Sequence, residues 1–443
     1  MFQTSTICRI ASVAAIFIVS VSIISEGRGE DWPQWMGPRR DNVWRERGII
    51  TTFVDHAPKL LWRTPIGGGY AGAAVADGRI FVCDYFPTAA SDDVSNKAKV
   101  PSGRERVVCL EEETGKILWE YDYPVTYTIS YPSGPRCTPT VHGDRVYTLG
   151  AEGSLICFEA STGSIQWSRE LKEDYSTKAA TWGWASHPLV DGDRLICIVG
   201  TDVAHAAAFD LNSGAEVWRT GTASEQGYVP PSIVTCAGAR QLVLVKPRGV
   251  YAVNPETGQL LWETPYDADN GSIIMAPVRL GNYLYVGGFK SKNLLLKMDQ
   301  KTPGVEVVWR NKPKHGISAV NVQPFVSDGL IFGFHENGEL RAMRIPEGDF
   351  VWQGTGPFGG RPKRSATAFI TKHDNHFFLF AETGDLVIAK LSETGYEEIS
   401  RTHLLDPTNV ASGRDVLWCP PAYANKAIIV RNDQEIVRYS LAQ

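Results

Sequence analysis

Short apolar runs separated by polar turns recur along most of this chain. In one clear instance, the apolar run Val107–Leu110 is followed by a polar break containing Gly115 and then by a second apolar run, Ile117–Trp119. A glycine between two apolar runs predicts a β-hairpin, because glycine adopts the positive φ of a tight turn without steric cost. The pattern therefore predicts antiparallel strands.

This hairpin is repeated at a nearly constant spacing. Each copy has a glycine followed four or five residues later by a tryptophan: Gly115/Trp119, Gly163/Trp167, Gly214/Trp218, Gly258/Trp262, Gly304/Trp309 and Gly348/Trp352, with a last Gly395 that lacks the tryptophan. By subtraction, successive glycines lie 44 to 51 residues apart, a period that indicates one supersecondary unit per repeat. Four short strands fit in each unit, as in a β-propeller blade, and we expect the tryptophan to pack on the neighbouring unit.

The two ends of the repeat region complement each other. The segment Lys59–Arg63, which contains Trp62, has the pattern of a fourth strand with no hairpin before it. After Gly395 the chain supplies about three more strands, near Cys419–Ala422, Lys426–Arg431 and Glu435–Leu441. The sequence therefore predicts an all-β, eight-bladed propeller of four-stranded antiparallel blades. The N-terminal strand would close the last blade and remove its exposed edges.

The regions before the ring have different compositions. In residues 1–30, Arg9 precedes a mainly apolar run, which predicts a signal peptide and an exported, soluble protein of the periplasm or cell envelope. The run is shorter than the roughly 20 residues that span a bilayer, although an uncleaved anchor is the alternative. Residues 31–57 contain three tryptophans and predict an N-terminal arm packed on the ring, residues 58–443. The polar insertion 87–104 predicts a surface loop.

Composition excludes some classes of function. The net charge of −5 and the absence of a basic stripe argue against a nucleic-acid partner. The cysteines are scattered without Cys-x-x-Cys spacing, so no metal site is predicted. Cys109 and Cys157 each lie six residues before the glycine of their repeat, which predicts small buried residues in the third strand.

The in-phase Gly-x-x-x-Trp repeat resembles the quinoprotein-like family, the propellers named after the pyrroloquinoline quinone repeat. One branch of that family comprises alcohol and sugar dehydrogenases that use this quinone with Ca²⁺. The other branch is cofactor-free and BamB-like. The dehydrogenases place the quinone between a tryptophan and a disulfide of adjacent cysteines, and no two cysteines are adjacent in this sequence. The resemblance therefore implies the cofactor-free branch.

Candidate site residues lie in the segments that lead into the first strand of each blade. In a propeller that strand lines the axis, so these segments surround one mouth of the ring. Cations outnumber acids there, and converging arginines suit an anionic group. The candidates for ligand or partner binding are Arg136, His187, Lys314, His315, Arg361, Arg364, Arg414 and Trp418. Pairing of these cations with neighbouring loop acids is the alternative, as is a structural role for His187.

Two hypotheses of function follow. The first is a monomeric, non-catalytic propeller that binds a protein or polymer partner in the cell envelope through one mouth, with no catalytic residue and no cofactor. The second is a quinone-dependent alcohol or sugar dehydrogenase with a reduced site, in which Trp182 or Trp184 would stack on the quinone. Packing of these tryptophans against the channel wall is the alternative to a stacking platform.

Overall fold

The computed structural model describes residues 29–53, 57–88, 102–268, 274–312 and 315–443. Across these ranges the chain is almost entirely β-structure, with one short α-helix, Leu171–Asp174, and one 3₁₀ helix, Gly356–Phe358. Most of the predicted signal peptide and of the predicted insertion 87–104 lies outside the described residues. None of the helices in the described ranges has the length and hydrophobicity of a membrane span.

The described strands form eight four-stranded antiparallel sheets, the blades, which confirms the predicted fold class. Each of blades 1 to 7 consists of four consecutive strands, from an inner strand at the axis to an outer one.
Blades 1 to 4 contain β2 (Ala74–Ala76), β3 (Arg79–Pro87), β4 (Ser102–Glu111) and β5 (Ile117–Thr126); β6 (Thr140–His142), β7 (Arg145–Leu149), β8 (Ser154–Glu159) and β9 (Ile165–Glu170); β10 (Leu189–Asp191), β11 (Arg194–Ile198), β12 (Ala206–Asp210) and β13 (Glu216–Thr220); and β14 (Ser232–Cys236), β15 (Ala239–Lys246), β16 (Gly249–Val253) and β17 (Leu260–Pro265).
Blades 5 to 7 contain β18 (Val278–Leu280), β19 (Tyr283–Gly288), β20 (Lys292–Met298) and β21 (Val305–Arg310); β22 (Phe325–Ser327), β23 (Leu330–Phe334), β24 (Leu340–Arg344) and β25 (Phe350–Gly354); and β26 (Ala368–His373), β27 (His376–Ala381), β28 (Asp385–Ser392) and β29 (Gly395–His403).

Blade 8 joins the two ends of the ring. Its inner strands are β32 (Ala422–Ala424), β33 (Ala427–Arg431) and β34 (Glu435–Ser440), and its outer strand is β1 (Lys59–Pro65). Strands β1 and β34 are antiparallel, with Lys59 opposite Ser440 and Pro65 opposite Glu435. The predicted closure by the N-terminal strand is therefore confirmed. A small hairpin of β30 (Asn409–Ala411) and β31 (Arg414–Val416), which the repeat pattern did not predict, precedes blade 8.

The repeated tryptophan docks on the next blade. A Cβ atom added to Gly214 of blade 3 would lie only 2.6 Å from the Trp167 side chain of blade 2, so glycine alone leaves room for the indole. The indole Nε1 of Trp167 also donates a hydrogen bond of 3.0 Å to the carbonyl oxygen of Leu211, beside the same turn. Trp62, Trp119, Trp218 and Trp309 make equivalent contacts with the glycine turns of blades 1, 2, 4 and 6.

The boundary between blades 4 and 5 is an exception. A Cβ atom at Gly304 would meet nothing closer than 3.8 Å, and its φ lies outside the left-handed range. The indole of Trp262 instead donates to Oε1 of Gln241 within its own blade, at 2.7 Å. Gly304 belongs to the copy in which the tryptophan follows after five residues, so the altered spacing coincides with the lost contact.

The segment from Trp32 to Trp44 crosses one end of the ring axis and is hereafter the arm. Trp32 forms an antiparallel bridge with Val75 of blade 1, and Val43 forms a parallel bridge with Lys372 of blade 7. The ring of Trp44 is fully buried. Because Asp31 Oδ2 accepts a hydrogen bond from the amide of Asp77, in the turn between β2 and β3, the arm covers the face that carries the turns between first and second strands.

The glycine turns allow a direct test of the interblade contact. We expect Gly214→Ala to lower the free energy of unfolding by about 1–3 kcal/mol, because a Cβ atom there is strained at φ +68° and overlaps Trp167. Gly304→Ala, the matched control, should be neutral or stabilising by up to about 1 kcal/mol. Urea denaturation followed by tryptophan fluorescence measures both. Equal losses in the two variants would contradict the docking role of the turn.

Candidate ligand-binding mouth

The centre of the ring contains a cavity of about 500 Å³. Arm residues, including Trp35 and Met36, line it at one end. At the other end it is lined by residues of the interblade loops, among them Tyr131, Trp182 and Trp418. Each of these loops runs from the outer strand of one blade to the inner strand of the next, so they all reach the same face, hereafter the loop face. The cavity is therefore covered by the arm and opens among the loops.

Arg136 lines the cavity, but loop carbonyl groups occupy much of its guanidinium. Its Nη1 donates to the carbonyl oxygen of Gly134, and its Nη2 donates to those of Ser130 at 2.9 Å and Tyr131 at 2.6 Å. The guanidinium also lies over the ring of Tyr70, at 5.2 Å. Burial lowers the pKa of Arg136 from its ordinary value. These contacts show that the side chain holds its own loop in shape.

Arg364 lies at the rim as an exposed cation. It lines the cavity, and its guanidinium lies 5.6 Å from the ring centre of Phe289. Arg361, also exposed, is in the same loop but is not part of the cavity lining. Lys314 lies outside the described residues. His315 is at the boundary of blades 5 and 6, where its Nδ1 is 2.9 Å from Oδ1 of Asp349, and it does not line the cavity.

Arg414 and Trp418 share one buried carboxylate. The Nε of Arg414 donates to Oε1 of Glu382 at 2.7 Å, and the indole of Trp418 donates to Oε2 at 2.9 Å. The backbone N–H of Thr367 donates to the same Oε2. The charge of Arg414 is therefore compensated inside the protein, as the alternative interpretation expected. Trp418 keeps a face on the cavity, with its ring centre 6.2 Å from that of Tyr131.

The two candidate stacking residues face different environments. Trp182 lines the cavity and packs against Tyr228, with ring centres 5.0 Å apart. Trp184 is buried between blades 2 and 3, and its indole donates to the carbonyl oxygen of Ile198 at 3.1 Å. Gly183 between them has φ +73°, which turns the chain. The two tryptophans therefore do not share one face of a strand, and Trp184 cannot present a face to a ligand in the cavity.

His187 lines the cavity near the arm and is only 9% exposed. Its Nδ1 accepts a hydrogen bond from the backbone N–H of Thr138 at 3.1 Å, and its ring stacks on Trp35 with centres 4.7 Å apart. Burial, with a smaller contribution from the charge of Arg40, holds the pKa of His187 well below its ordinary value. The imidazole is therefore neutral, with its proton on Nε2.

Sequence reasoning missed the buried glutamates that organise the loop face. Glu382 lies between β27 and β28, and Glu152 occupies the same position between β7 and β8. Glu152 accepts hydrogen bonds from the backbone N–H and the hydroxyl of Thr128. It also forms an ion pair with Lys172. Each glutamate directly follows an alanine, and a glycine comes one or two residues later. An alignment of the turns between second and third strands would have shown this shared pattern.

The lining does not fit a Ca²⁺-bound quinone. Ca²⁺ takes carboxylate and carbonyl oxygens as ligands, and alcohol oxidation requires a base beside the substrate. In the described part of the chain, the cavity is lined by arginine, histidine, amide, hydroxyl, aromatic and aliphatic side chains, with no aspartate or glutamate among them. Across the same residues, no group of three or more His, Cys, Asp and Glu is placed to hold a metal ion.

Comparison with known proteins agrees with the fold. Residues 103–354, more than half of the chain, match the family model described as outer membrane protein assembly factor BamB. The chain belongs to this family. It is 22% identical over 280 residues to BamB of Yersinia pestis, an alignment that covers 60% of this chain and 66% of that protein, just under two thirds. It is also 22% identical to the polyvinylalcohol dehydrogenase of a Sphingopyxis strain, covering 74% of this chain and 67% of the relative.

The crystal structure of BamB from Moraxella catarrhalis has the same fold. It superposes with a TM-score of 0.56 at 16% identity and covers 87% of this chain and all of that one. At this identity the superposition establishes the architecture alone. BamB proteins and a dehydrogenase thus both stand among the relatives of this chain.

The contacts of Arg136 and Arg364 predict different effects of truncation. Arg136→Ala removes three hydrogen bonds from a charged donor to loop carbonyls and should lower the free energy of unfolding by about 1–3 kcal/mol. Arg364→Ala removes an exposed side chain and should change it by no more than about 0.5 kcal/mol. Chemical denaturation of both variants measures the difference. If Arg136→Ala were as stable as the unaltered protein, its structural role would be refuted.

Proposed function

We propose that this chain is an exported, non-catalytic propeller that binds a protein or polymer partner of the cell envelope through the loop face. The observation that carries the proposal is the axial cavity, which the arm covers at one end and which opens among aromatic and cationic side chains at the other. Concave sites with an apolar lining and a few polar groups are typical of binding sites.

The loop between blades 6 and 7 adds positive charge to this face. Arg361, Lys363 and Arg364 are exposed and form no ion pair with any described residue. The chain as a whole carries a net charge of −5, so this loop is a local exception. Exposed cations without an ion-pair partner among the described residues favour an anionic partner, because they accelerate its association and repel cationic surfaces.

The BamB relatives support a non-catalytic role. Their name, outer membrane protein assembly factor, implies work alongside other proteins rather than a chemical reaction. We extend this description to the present chain as part of the proposal, together with export, a soluble state after signal cleavage and a monomeric ring.

The polyvinylalcohol dehydrogenase relative favours the second candidate, a quinone-dependent alcohol or sugar dehydrogenase with a degenerate site. Among the described residues, no aspartate or glutamate lines the cavity, and this argues against the second candidate. Incubation of the purified protein with pyrroloquinoline quinone and Ca²⁺, followed by dye reduction with a panel of alcohols and sugars, distinguishes the two. The proposal predicts no turnover above that of the cofactor alone, and saturable turnover would overturn it.

Charge reversal on opposite faces tests the proposed binding face. We expect Lys363→Glu with Arg364→Glu to reduce capture of a partner from the protein's own envelope fraction about tenfold or more, since anionic groups would then be repelled. Lys116→Glu with Lys301→Glu, two exposed lysines in the turns between third and fourth strands, is the matched control.

Quantitative mass spectrometry of the captured material measures both variants. The control introduces the same change in net charge away from the loop face and should capture as much as the unaltered protein. Equal losses in the two variants would indicate a general charge effect and refute the loop face as the binding surface, as would full capture by the loop-face variant.

A further inference from the structure

We propose that the axial cavity binds the end of an acidic glycan, a sugar chain whose residues carry carboxylates. This inference rests on the proposed function, because it assigns a chemical class to the ligand of the loop face. It follows from four properties of the cavity: its closed end, the sign of its charge, its unused hydrogen-bond donors and its aromatic rim.

One end of the cavity is closed, so only the terminus of a polymer can enter it. The arm contacts the inner strands of blades 1 and 7 through the bridges of Trp32 and Val43. The carbonyl oxygen of Pro33 accepts from Val141 of blade 2, and Nη1 of Arg40 donates to the carbonyl of Pro188 before blade 3. With the arm fixed on four blades, a polymer cannot pass through the ring, and only its end can enter from the loop face.

The positive charge of the cavity lining favours an anionic ligand. Arg136 and Arg364 line it, and within the described residues no carboxylate side chain does. Arg136 uses three of its five N–H donors on loop carbonyls, which leaves two for other partners. Guanidinium groups bind carboxylates with charge-assisted hydrogen bonds that are stronger than neutral ones.

Polar side chains deeper in the cavity can bind hydroxyl groups. The neutral imidazole of His187 uses Nδ1 as an acceptor for the N–H of Thr138, so its Nε2–H is the donor available to the cavity. Asn42 of the arm and Asn321 also line it, and each amide both donates and accepts. Such a mixture of single donors and acceptors suits the hydroxyls of a sugar ring better than the continuous alkyl chain of a lipid.

The rim supplies flat aromatic faces. Tyr131 is 42% exposed, and Trp182, Phe289 and Trp418 also line the opening and are partly exposed. The electron-rich face of an aromatic ring attracts weakly positive C–H groups, which a pyranose ring presents on its two faces. Tyr131 adopts φ +54°, an unfavourable conformation for a residue with a side chain, and Arg136 holds its carbonyl oxygen in place. The conformation of Tyr131 at the rim is thus preorganised before a ligand binds.

Calorimetric titration with defined oligosaccharides tests this inference. We expect trigalacturonate or trimannuronate to bind, and the methyl ester of the same trimer, in which a neutral ester replaces each carboxylate, to bind about tenfold or more weakly. Arg364→Ala and Trp182→Ala should each weaken binding of the acid by about tenfold or more. Lys116→Ala, which removes one exposed cation from the opposite face of the ring, should leave the affinity within about twofold of the original.

Three results would overturn the inference. The first is failure of both uronates to bind at millimolar concentration. The second is equal affinity for the acid and its ester, and the third is equal weakening by Lys116→Ala and Arg364→Ala. Pentaglutamate is the competing probe: binding of this peptide but not of the uronates would assign the cavity to acidic peptides instead. If the uronates fail while the loop face still captures a partner, the proposed function stands and only the glycan assignment is wrong.

Discussion

The ring depends on a contact that recurs between neighbouring blades, in which an indole ring packs over a glycine turn. At the boundaries where this contact is complete, the turn glycine has positive φ and no Cβ, so the tryptophan of the preceding blade lies directly on its backbone. The indole N–H then donates to a carbonyl of the same turn, as Trp62 does to Glu112 at the closure of the ring. At these boundaries, burial of a large aromatic surface and a satisfied hydrogen bond are thus combined at a single place.

This contact also determines where the functional face can form. Because each outer strand is fixed against the next blade, the loop that follows it must return across one face to reach the next inner strand. The loops that carry Tyr131, Trp182 and Trp418 belong to different blades, yet all three residues line one cavity. Buried glutamates in the second-to-third strand turns, Glu152 and Glu382, then bind these loops in place through hydrogen bonds and ion pairs.

The sequence allowed prediction of the strands and their closure but not of the pairings within the loops. Periodicity reveals a strand pattern that recurs from blade to blade, which is why the eight blades and the pairing of β1 with β34 were predictable. The pairing of Arg414 with Glu382, 32 residues apart, occurs once and has no period. In the same way, the turn at Gly183 separates Trp182 from Trp184, and neither the turn nor its direction follows from the spacing of the two tryptophans.

The ring is closed by an N-terminal strand, which we expect to form one cooperative unit with the last three strands. Hydrogen–deuterium exchange of the backbone amides of β1, Lys59–Pro65, measures this cooperativity. We expect the hydrogen-bonded amides of β1 to exchange as slowly as those of β33 and β34, because all three strands belong to one hydrogen-bonded sheet. Exchange of β1 at the rate of an unprotected chain, while β33 and β34 remain protected, would contradict the closed ring.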